Sequence, residues 1–195
     1  MWVTMFNPKQ NSAWKIPKRA GEFQYIIPVI IAVAVFHRRK WRGAVMLLIA
    51  SGIAGAAYSV LKWTVGRTRP NLGHGPWQFD PFAGGIKGFV TSGNLAFPSG
   101  HTTFAFAIAG GLAILIPKWR WAFYVVAGGC AVQRVLEYAH HPSDVVFSAA
   151  LGVLAAHAAN ALCNAWFPMP VIAVIGEPRS EPAPAPPPPP PPPRP

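Results

Sequence analysis

The stretch GAVMLLIASGIAGAAYSVL, residues 43–61, contains no charged side chain in 19 consecutive positions. A helix needs about 20 mostly apolar residues to cross the hydrocarbon core of a bilayer. Only 12% of the whole chain is charged, against about 25% in ordinary soluble domains. The stretch therefore predicts a membrane-spanning helix, and the composition predicts that lipid surrounds much of the chain.

Four further apolar runs flank this stretch, at residues 101–116, 119–136, 145–167 and 23–36. The run 23–36 has only 14 residues, so it either spans a thinned bilayer or is half-inserted. Tryptophans fall at the ends of the proposed spans, where amphipathic rings settle at the headgroup level: Trp41, Trp63, Trp119, Trp121 and Trp166. The sequence predicts an all-α, polytopic membrane bundle of about five transmembrane helices.

Three regions follow from this map. Residues 1–22 form an N-terminal interfacial segment, residues 23–167 the transmembrane domain, and residues 168–195 a Pro-rich disordered tail. The tail contains eight consecutive prolines, Pro186 to Pro193, which favour an extended, solvated chain. The tail is either a solvated extension or a docking segment for a protein partner. The Gly-rich loop 71–97 is expected to lie at the membrane interface.

The net charge of +11 is concentrated between the apolar runs. That placement argues against a nucleic-acid partner and favours lipid headgroups or an anionic substrate. The basic loops 37–42 and 117–120 lie on one side of a five-span bundle and favour the cytoplasm. The basic N-terminal segment falls on the other side, so the charge pattern leaves the orientation open. The two cysteines, Cys130 and Cys163, are expected to be core hydrophobes.

Two groups of polar residues flank the start of the run 101–116. The first contains Lys62 and Arg69, spaced as Lys-x6-Arg-Pro at the end of the span 43–61; an arginine fork matches two phosphate oxygens. The second, Pro-Ser-Gly-His, contains Ser99 as a helix N-cap, Gly100 and His101. A helix N-terminus suits a phosphate. Alone, the first group is better explained as a snorkelling basic cluster at a helix end, and the second is equally consistent with an ordinary helix cap and an interfacial histidine.

The third group contains Arg134, His140 and Asp144, spaced as Arg-x5-His-x3-Asp. A carboxylate bonded to one ring nitrogen of a histidine leaves the other nitrogen free to attack. The three groups fall alternately at the end and the start of consecutive spans, so an antiparallel bundle brings them to one face. Cations, histidines, a carboxylate and a helix N-terminus together suit binding and cleavage of a phosphate monoester or anhydride.

These motifs resemble the three-part signature of the type-2 phosphatidic acid phosphatase superfamily, and they cover residues 62–144. In one position the sequence departs from the signature: Gln133 stands where the family usually has Ser. The resemblance implies that His140 is the nucleophile, that Asp144 orients it, and that His101 is the general acid. It also implies that the phosphoryl oxygens are held by Lys62, Arg69, Ser99, Gly100 and Arg134. Family members need neither a metal nor another cofactor.

The transmembrane domain is therefore expected to be an integral membrane phosphatase, placed in a bacterial inner membrane with the site facing the periplasm or exterior. Its expected partners are the bilayer and a lipid phosphate or lipid pyrophosphate, for example undecaprenyl pyrophosphate, phosphatidylglycerol phosphate, phosphatidic acid or lipid A. A lipid phosphotransferase and a non-catalytic anionic-lipid binder or transporter remain alternatives. A haloperoxidase or a metal site is disfavoured; the latter would use His74, His101, His140 and His141. His157 is expected to pack with Asn160 inside the last span.

Overall fold

The structure, a computed structural model, describes residues 15–37, 40–73, 75–82, 85 and 93–167. Its five long helices within these ranges, numbered in chain order, are α1 (Phe23–Phe36), α2 (Lys40–Val65), α3 (Gly100–Leu115), α4 (Arg120–Leu136) and α5 (Pro142–Trp166). A short helical turn, Lys15–Lys18, and a 3-10 turn, Arg19–Gly21, precede α1. The described part of the chain contains no β-strand. The predicted all-α fold is therefore confirmed.

Helix α3 is central and packs against α2, α4 and α5. Small residues let these helices approach closely, as is usual between helices in membranes. A Cβ added to Gly152 of α5 would lie 2.4 Å from the carbonyl oxygen of Thr103 in α3. A Cβ on Gly111 would lie 2.4 Å from a methyl carbon of Leu47 in α2. The alanines and glycines of the apolar runs thus determine how tightly the bundle closes.

Two of the helices are long and apolar enough to cross a membrane: Trp41–Val65 within α2, and α5. Helices α1, α3 and α4 have 14, 16 and 17 residues, at or below the usual lower limit of about 17. The prediction of about five spans therefore stays a prediction. Four of the five tryptophans at the helix ends, Trp41, Trp119, Trp121 and Trp166, are between 57% and 70% exposed, and Trp63 is half-buried.

The basic loops and the candidate site lie at opposite ends of the bundle. At one end, Nε2 of His37 lies 3.1 Å from the Leu115 carbonyl oxygen, and Arg42 donates to the Asn164 side chain at 2.9 Å. This end joins the α1–α2 turn to the last residues of α3 and α5. The other end collects the last turns of α2 and α4 and the first turns of α3 and α5. The N-terminal segment 1–14 and the Pro-rich tail 168–195 lie outside the described residues.

Candidate active site

The segment that follows α2 is held between two parts of the long loop. Arg67 forms an isolated antiparallel bridge with Phe79, and Thr68 forms one with Leu95. The turn into this segment requires Gly66, which has φ +64° and whose added Cβ would lie 1.9 Å from the Asp80 carbonyl oxygen. These contacts bring the first motif alongside the residues that lead into α3.

His140 lies in the short connection between α4 and α5 and is 3% exposed. Its Nδ1 lies 2.5 Å from the carbonyl oxygen of Ala96. A carbonyl only accepts, so Nδ1 carries the proton and Nε2 keeps its lone pair. Burial, and then the positive charge of Arg134, lower the pKa of His140 to about 2. The ring is therefore neutral near pH 7 and has the tautomer that a nucleophilic Nε2 requires.

Asp144 is fully buried near the start of α5, but its carboxylate oxygens bond elsewhere than to His140. Oδ1 accepts a hydrogen bond from Nη1 of Arg67 at 2.6 Å, and Oδ2 accepts one from the His141 backbone N–H at 2.8 Å. We predicted that Asp144 orients the His140 ring. The structure corrects this: the Ala96 carbonyl makes that hydrogen bond, and Asp144 instead pairs with Arg67.

Of the three predicted cations of the site, Lys62 and Arg134 are buried and Arg69 is half-buried. Nζ of Lys62 donates to the Tyr58 hydroxyl at 3.1 Å, and Nε of Arg69 donates to the Leu95 carbonyl at 3.2 Å. Burial, and then the neighbouring charge of Arg134, lower the pKa of the Arg69 guanidinium, which nevertheless stays charged. Arginines placed so close to one another favour an anion between them.

The first turn of α3 carries the second motif. Ser99 is the N-cap residue by position and is fully buried, and its N–H donates to the Ser148 hydroxyl at 2.7 Å. Its own hydroxyl makes no capping bond and instead accepts one from Thr102 at 3.0 Å. Gly100 leaves room for Tyr58, because an added Cβ would lie 3.0 Å from that ring. The packing of Tyr58 is therefore one reason for glycine here.

His101 faces the segment that precedes α1. Its Nε2 lies 4.0 Å from Oε1 of Glu22, and its side chain is 31% exposed. Gly21 packs directly on the His101 backbone, because an added Cβ would lie 2.0 Å from the carbonyl oxygen. His101 is thus the more accessible of the two candidate catalytic histidines, as a proton donor that meets both substrate and water must be.

The last turn of α4 carries Gln133 and Arg134, and Glu137 follows the helix as its C-cap residue. Gln133 is 1% exposed and Arg134 is 5% exposed. Nε2 of Gln133 donates to Oε1 of Glu137 at 2.5 Å, and Nη1 of Arg134 pairs with Oε2. The carboxylate of Glu137 therefore lies directly on a predicted phosphate-binding arginine.

The remaining histidines take other places. His141 is the N-cap of α5 and forms a capping box with Asp144, which makes it a structural neighbour of His140. His157 is exposed on α5, and His74 lies outside the described residues. No group of three or more His, Cys, Asp or Glu side chains in the described ranges is arranged to hold a metal ion.

An apolar cleft of about 260 Å³ runs between α1, α3 and α4. One end of the cleft lies beside Ala20, the neighbour of Gly21, which packs on His101. On α3, the residue of the cleft wall nearest to His101 is Ala105, one helical turn further along. The cleft is lined further along by Val29, Leu112 and Val126. The end of the cleft beside Ala20 and Ala105 is therefore next to the polar residues of the site, and the apolar walls of the cleft suit a hydrocarbon chain.

A family model described as the PAP2 superfamily matches residues 43–168. The chain belongs to this superfamily. The resemblance inferred from the three motifs, to the type-2 phosphatidic acid phosphatases, is thereby confirmed.

Among the PAP2 relatives, lipid A 1-phosphatase of Rhizobium johnstonii is 36% identical over 115 residues, which are 58% of this chain and 44% of that protein. Phosphatidylglycerophosphatase B of Bacillus subtilis is 28% identical over an alignment that covers 69% of this chain and 66% of that protein. The chain spans about half the length of the first lipid phosphatase relatives that it matches.

Two solved structures share the fold. LpxE of Aquifex aeolicus superimposes with a TM-score of 0.62 at 18% identity, over 80% of this chain and 91% of that chain. A transmembrane phosphatidylglycerolphosphate phosphatase of Bacillus subtilis superimposes with a TM-score of 0.59 at 22% identity, over 84% and 81%. At these identities the likeness concerns the fold alone.

Three residues of the site were missed by the sequence analysis: Arg67, Glu137 and Ala96. Arg67 was visible as a third cation inside the Lys-x6-Arg-Pro spacing, and Glu137 as a carboxylate three residues after Arg134. Ala96 acts through its backbone carbonyl, for which the sequence contains no signal.

Proposed function

We propose that this PAP2 protein is an integral membrane phosphatase that removes a phosphate from a lipid phosphate or pyrophosphate through a phosphohistidine. One observation carries the proposal. Nδ1 of the buried His140 is bonded to the Ala96 carbonyl, and burial, followed by the charge of Arg134, lowers the pKa of the ring and keeps it neutral. A neutral imidazole with a free Nε2 beside an arginine is the arrangement that a nucleophile of phosphoryl transfer needs.

In the proposed first step, Nε2 of His140 attacks phosphorus in line with the leaving oxygen. The N–P bond forms as the P–O bond to the lipid breaks, and His101 gives its proton to that oxygen. In the second step, His101 takes a proton from water, whose oxygen attacks phosphorus and breaks the N–P bond. The products are the dephosphorylated lipid and inorganic phosphate, and both histidines return to their starting states.

The phosphoryl oxygens are assigned to Lys62, Arg69 and Arg134, with Ser99 and the Gly100 N–H at the start of α3. Phosphoryl transfer depends mainly on positioning and charge stabilisation, so fixed cations can neutralise the developing charge. Asp144 contributes indirectly, because it holds Arg67 and thereby the segment beside the site. We propose that the reaction requires no metal.

The substrate class follows from the cleft between α1, α3 and α4 and from the span-sized helices α2 and α5. A substrate whose headgroup sits among the cations and whose chain enters the cleft is a membrane lipid. The R. johnstonii relative is named a lipid A 1-phosphatase, and the B. subtilis relative a phosphatidylglycerophosphatase. A sugar phosphate and a glycerol phosphate headgroup are therefore the first substrates to test.

The proposed topology has five spans in a bacterial inner membrane, with the site on the periplasmic or outer side. The basic end of the bundle, where His37 contacts the end of α3, lies opposite the site, and short basic loops favour the cytoplasm. Cysteine labelling from each side of the membrane tests this arrangement. Labelling of the α3 N-terminus and the His140 loop from opposite sides would contradict it.

The decisive experiment uses the full-length protein in detergent with EDTA and a panel of the two lipid classes, with release of inorganic phosphate as the readout. His140→Asn is expected to lose about a thousandfold or more in turnover and to trap no radioactive phosphoenzyme. His157→Asn, which changes an exposed histidine on α5, serves as the matched control and keeps wild-type turnover. Full turnover by His140→Asn, or complete loss of wild-type activity in EDTA, would contradict the proposed mechanism.

A further inference from the structure

Glu137, which follows α4, bonds two side chains of the preceding turn. Its Oε1 accepts a hydrogen bond from Gln133 at 2.5 Å, and its Oε2 pairs with Nη1 of Arg134. The C-terminal end of a helix carries a partial negative charge, which disfavours a carboxylate there. The contact with Arg134 must therefore offset this unfavourable position.

The donors that hold Glu137 are of the kind that hold a phosphoryl group. A guanidinium nitrogen and an amide N–H each bind one of its two oxygens, as they would bind two phosphate oxygens. In addition, Nε of Arg134 is buried and has no hydrogen-bond partner among the described residues. A buried donor without an acceptor is costly, so it indicates an acceptor that arrives with the substrate.

We infer that Glu137 is an internal competitor for the phosphoryl group at Arg134. In the empty site the carboxylate neutralises the guanidinium, and an incoming phosphate must displace it. The residue would thus limit the affinity for substrate and for the released phosphate, which makes it a specificity-determining residue of the site. This inference rests on the proposed function, because it takes Arg134 as a ligand of the phosphoryl group.

Displacement, rather than permanent anchoring, is favoured by three features. The Glu137 side chain is 21% exposed, whereas that of Arg134 is 6% exposed, so the carboxylate can turn to water while the arginine stays in place. Glu137 occupies Nη1, at the outer edge of the fork that binds oxyanions. Its second oxygen is held by Gln133, the residue that replaces the family's serine, whose amide is long enough to reach one turn along the helix.

The test measures binding of inorganic phosphate to the full-length protein in detergent by isothermal titration calorimetry. Glu137→Gln is expected to bind phosphate about tenfold more tightly, because the ion pair with Arg134 no longer has to be broken. Gln133→Ser is expected to tighten binding by less, and to have no effect in the Glu137→Gln background. Asp80→Asn is the charge-matched control: Asp80 is exposed in the long loop, and its substitution should change affinity by less than about twofold.

Equal or weaker binding by Glu137→Gln would overturn the inference, because a residue that only positions Arg134 must lose affinity when it is removed. An equally large gain in Asp80→Asn would also overturn it, because the effect would then be general electrostatics. If Glu137→Gln does not fold, Glu137→Asp and Gln133→Ser give the same comparison. Absence of phosphate binding in the wild type and every variant would overturn the proposed function itself.

Discussion

The carbonyl oxygen of Ala96 lies 2.5 Å from Nδ1 of His140, so the candidate nucleophile is oriented by the backbone that leads into α3. The same alanine donates its N–H to the Arg67 carbonyl at 2.6 Å. Arg67 in turn binds Asp144 at the start of α5. One continuous chain of contacts therefore links the third motif to the segment of the first motif, through the residues that lead into the second, and it runs through Ala96 and Arg67, which the motifs do not name.

The first prediction concerns the protonation of His140. Because burial lowers its pKa to about 2, the ring should stay neutral between pH 5 and pH 8. Nuclear magnetic resonance of ¹⁵N-labelled imidazoles should show that His140 does not titrate in this range and carries its proton on Nδ1. His140→Asn should remove those signals, while His157→Asn should leave them in place. A His140 midpoint near the ordinary value of about 6.5 would contradict the prediction.

The same pKa predicts how stability depends on pH. In the unfolded chain His140 would titrate near pH 6.5, whereas in the folded protein its pKa is about 2. Between these pH values the unfolded chain therefore binds one proton at His140 that the folded protein does not bind. The contribution of His140 to the free energy of unfolding is therefore complete above pH 6.5 and decreases as the pH falls below it, by at most about 1.4 kcal/mol per pH unit. Thermal unfolding in detergent should show a shallower acid decline for His140→Asn than for the wild type.

The third prediction separates two roles for Asp144. Removing one partner of a buried ion pair costs about 3–5 kcal/mol, because the other charge is left uncompensated. Arg67→Gln and Asp144→Asn should each destabilise the protein strongly, and the double variant should lose much less than the sum. If Asp144 instead polarised His140 directly, Asp144→Asn would shift the His140 ¹⁵N signals while Arg67→Gln would not.

The helix boundaries and the partner of Asp144 illustrate what can and what cannot be predicted from the sequence. The uncharged runs predicted α1 at residues 23–36 and the other helices to within a few residues, because length and polarity decide which segments lie in lipid. The alternation of motifs between helix ends predicted that they would meet. The partner of Asp144 was not predictable, because the position of Arg67 depends on backbone bridges to Phe79 and across Thr68 to Leu95, far away in the sequence.

The fourth prediction concerns the closeness of α3 and α5. Gly152→Ala should destabilise the bundle by about 1–3 kcal/mol, because the new methyl group would meet the Thr103 carbonyl oxygen at 2.4 Å. Gly128→Ala is the matched control within α4, where an added Cβ meets nothing within 4 Å. In a helix interior alanine is more favourable than glycine by about 1 kcal/mol, so this control substitution should be neutral or stabilising. Equal unfolding midpoints for the two variants would show that the helices are less closely packed than the structure indicates.

The last prediction tests whether the cleft between α1, α3 and α4 holds the lipid chain. Val126 lines the cleft and is 58% exposed, so Val126→Trp should narrow the cleft with little cost to the core. If two methylene groups of the lipid chain lose their contact with the cleft, at about 0.8 kcal/mol each, KM for a long-chain lipid phosphate should rise about fifteenfold. A short-chain, water-soluble phosphate ester should keep its kcat/KM, because its headgroup contacts are unchanged. Val125→Trp provides the control, since Val125 is 73% exposed and lies outside the cleft lining. Equal effects of both tryptophans on the long-chain substrate would assign the chain to another surface of the bundle.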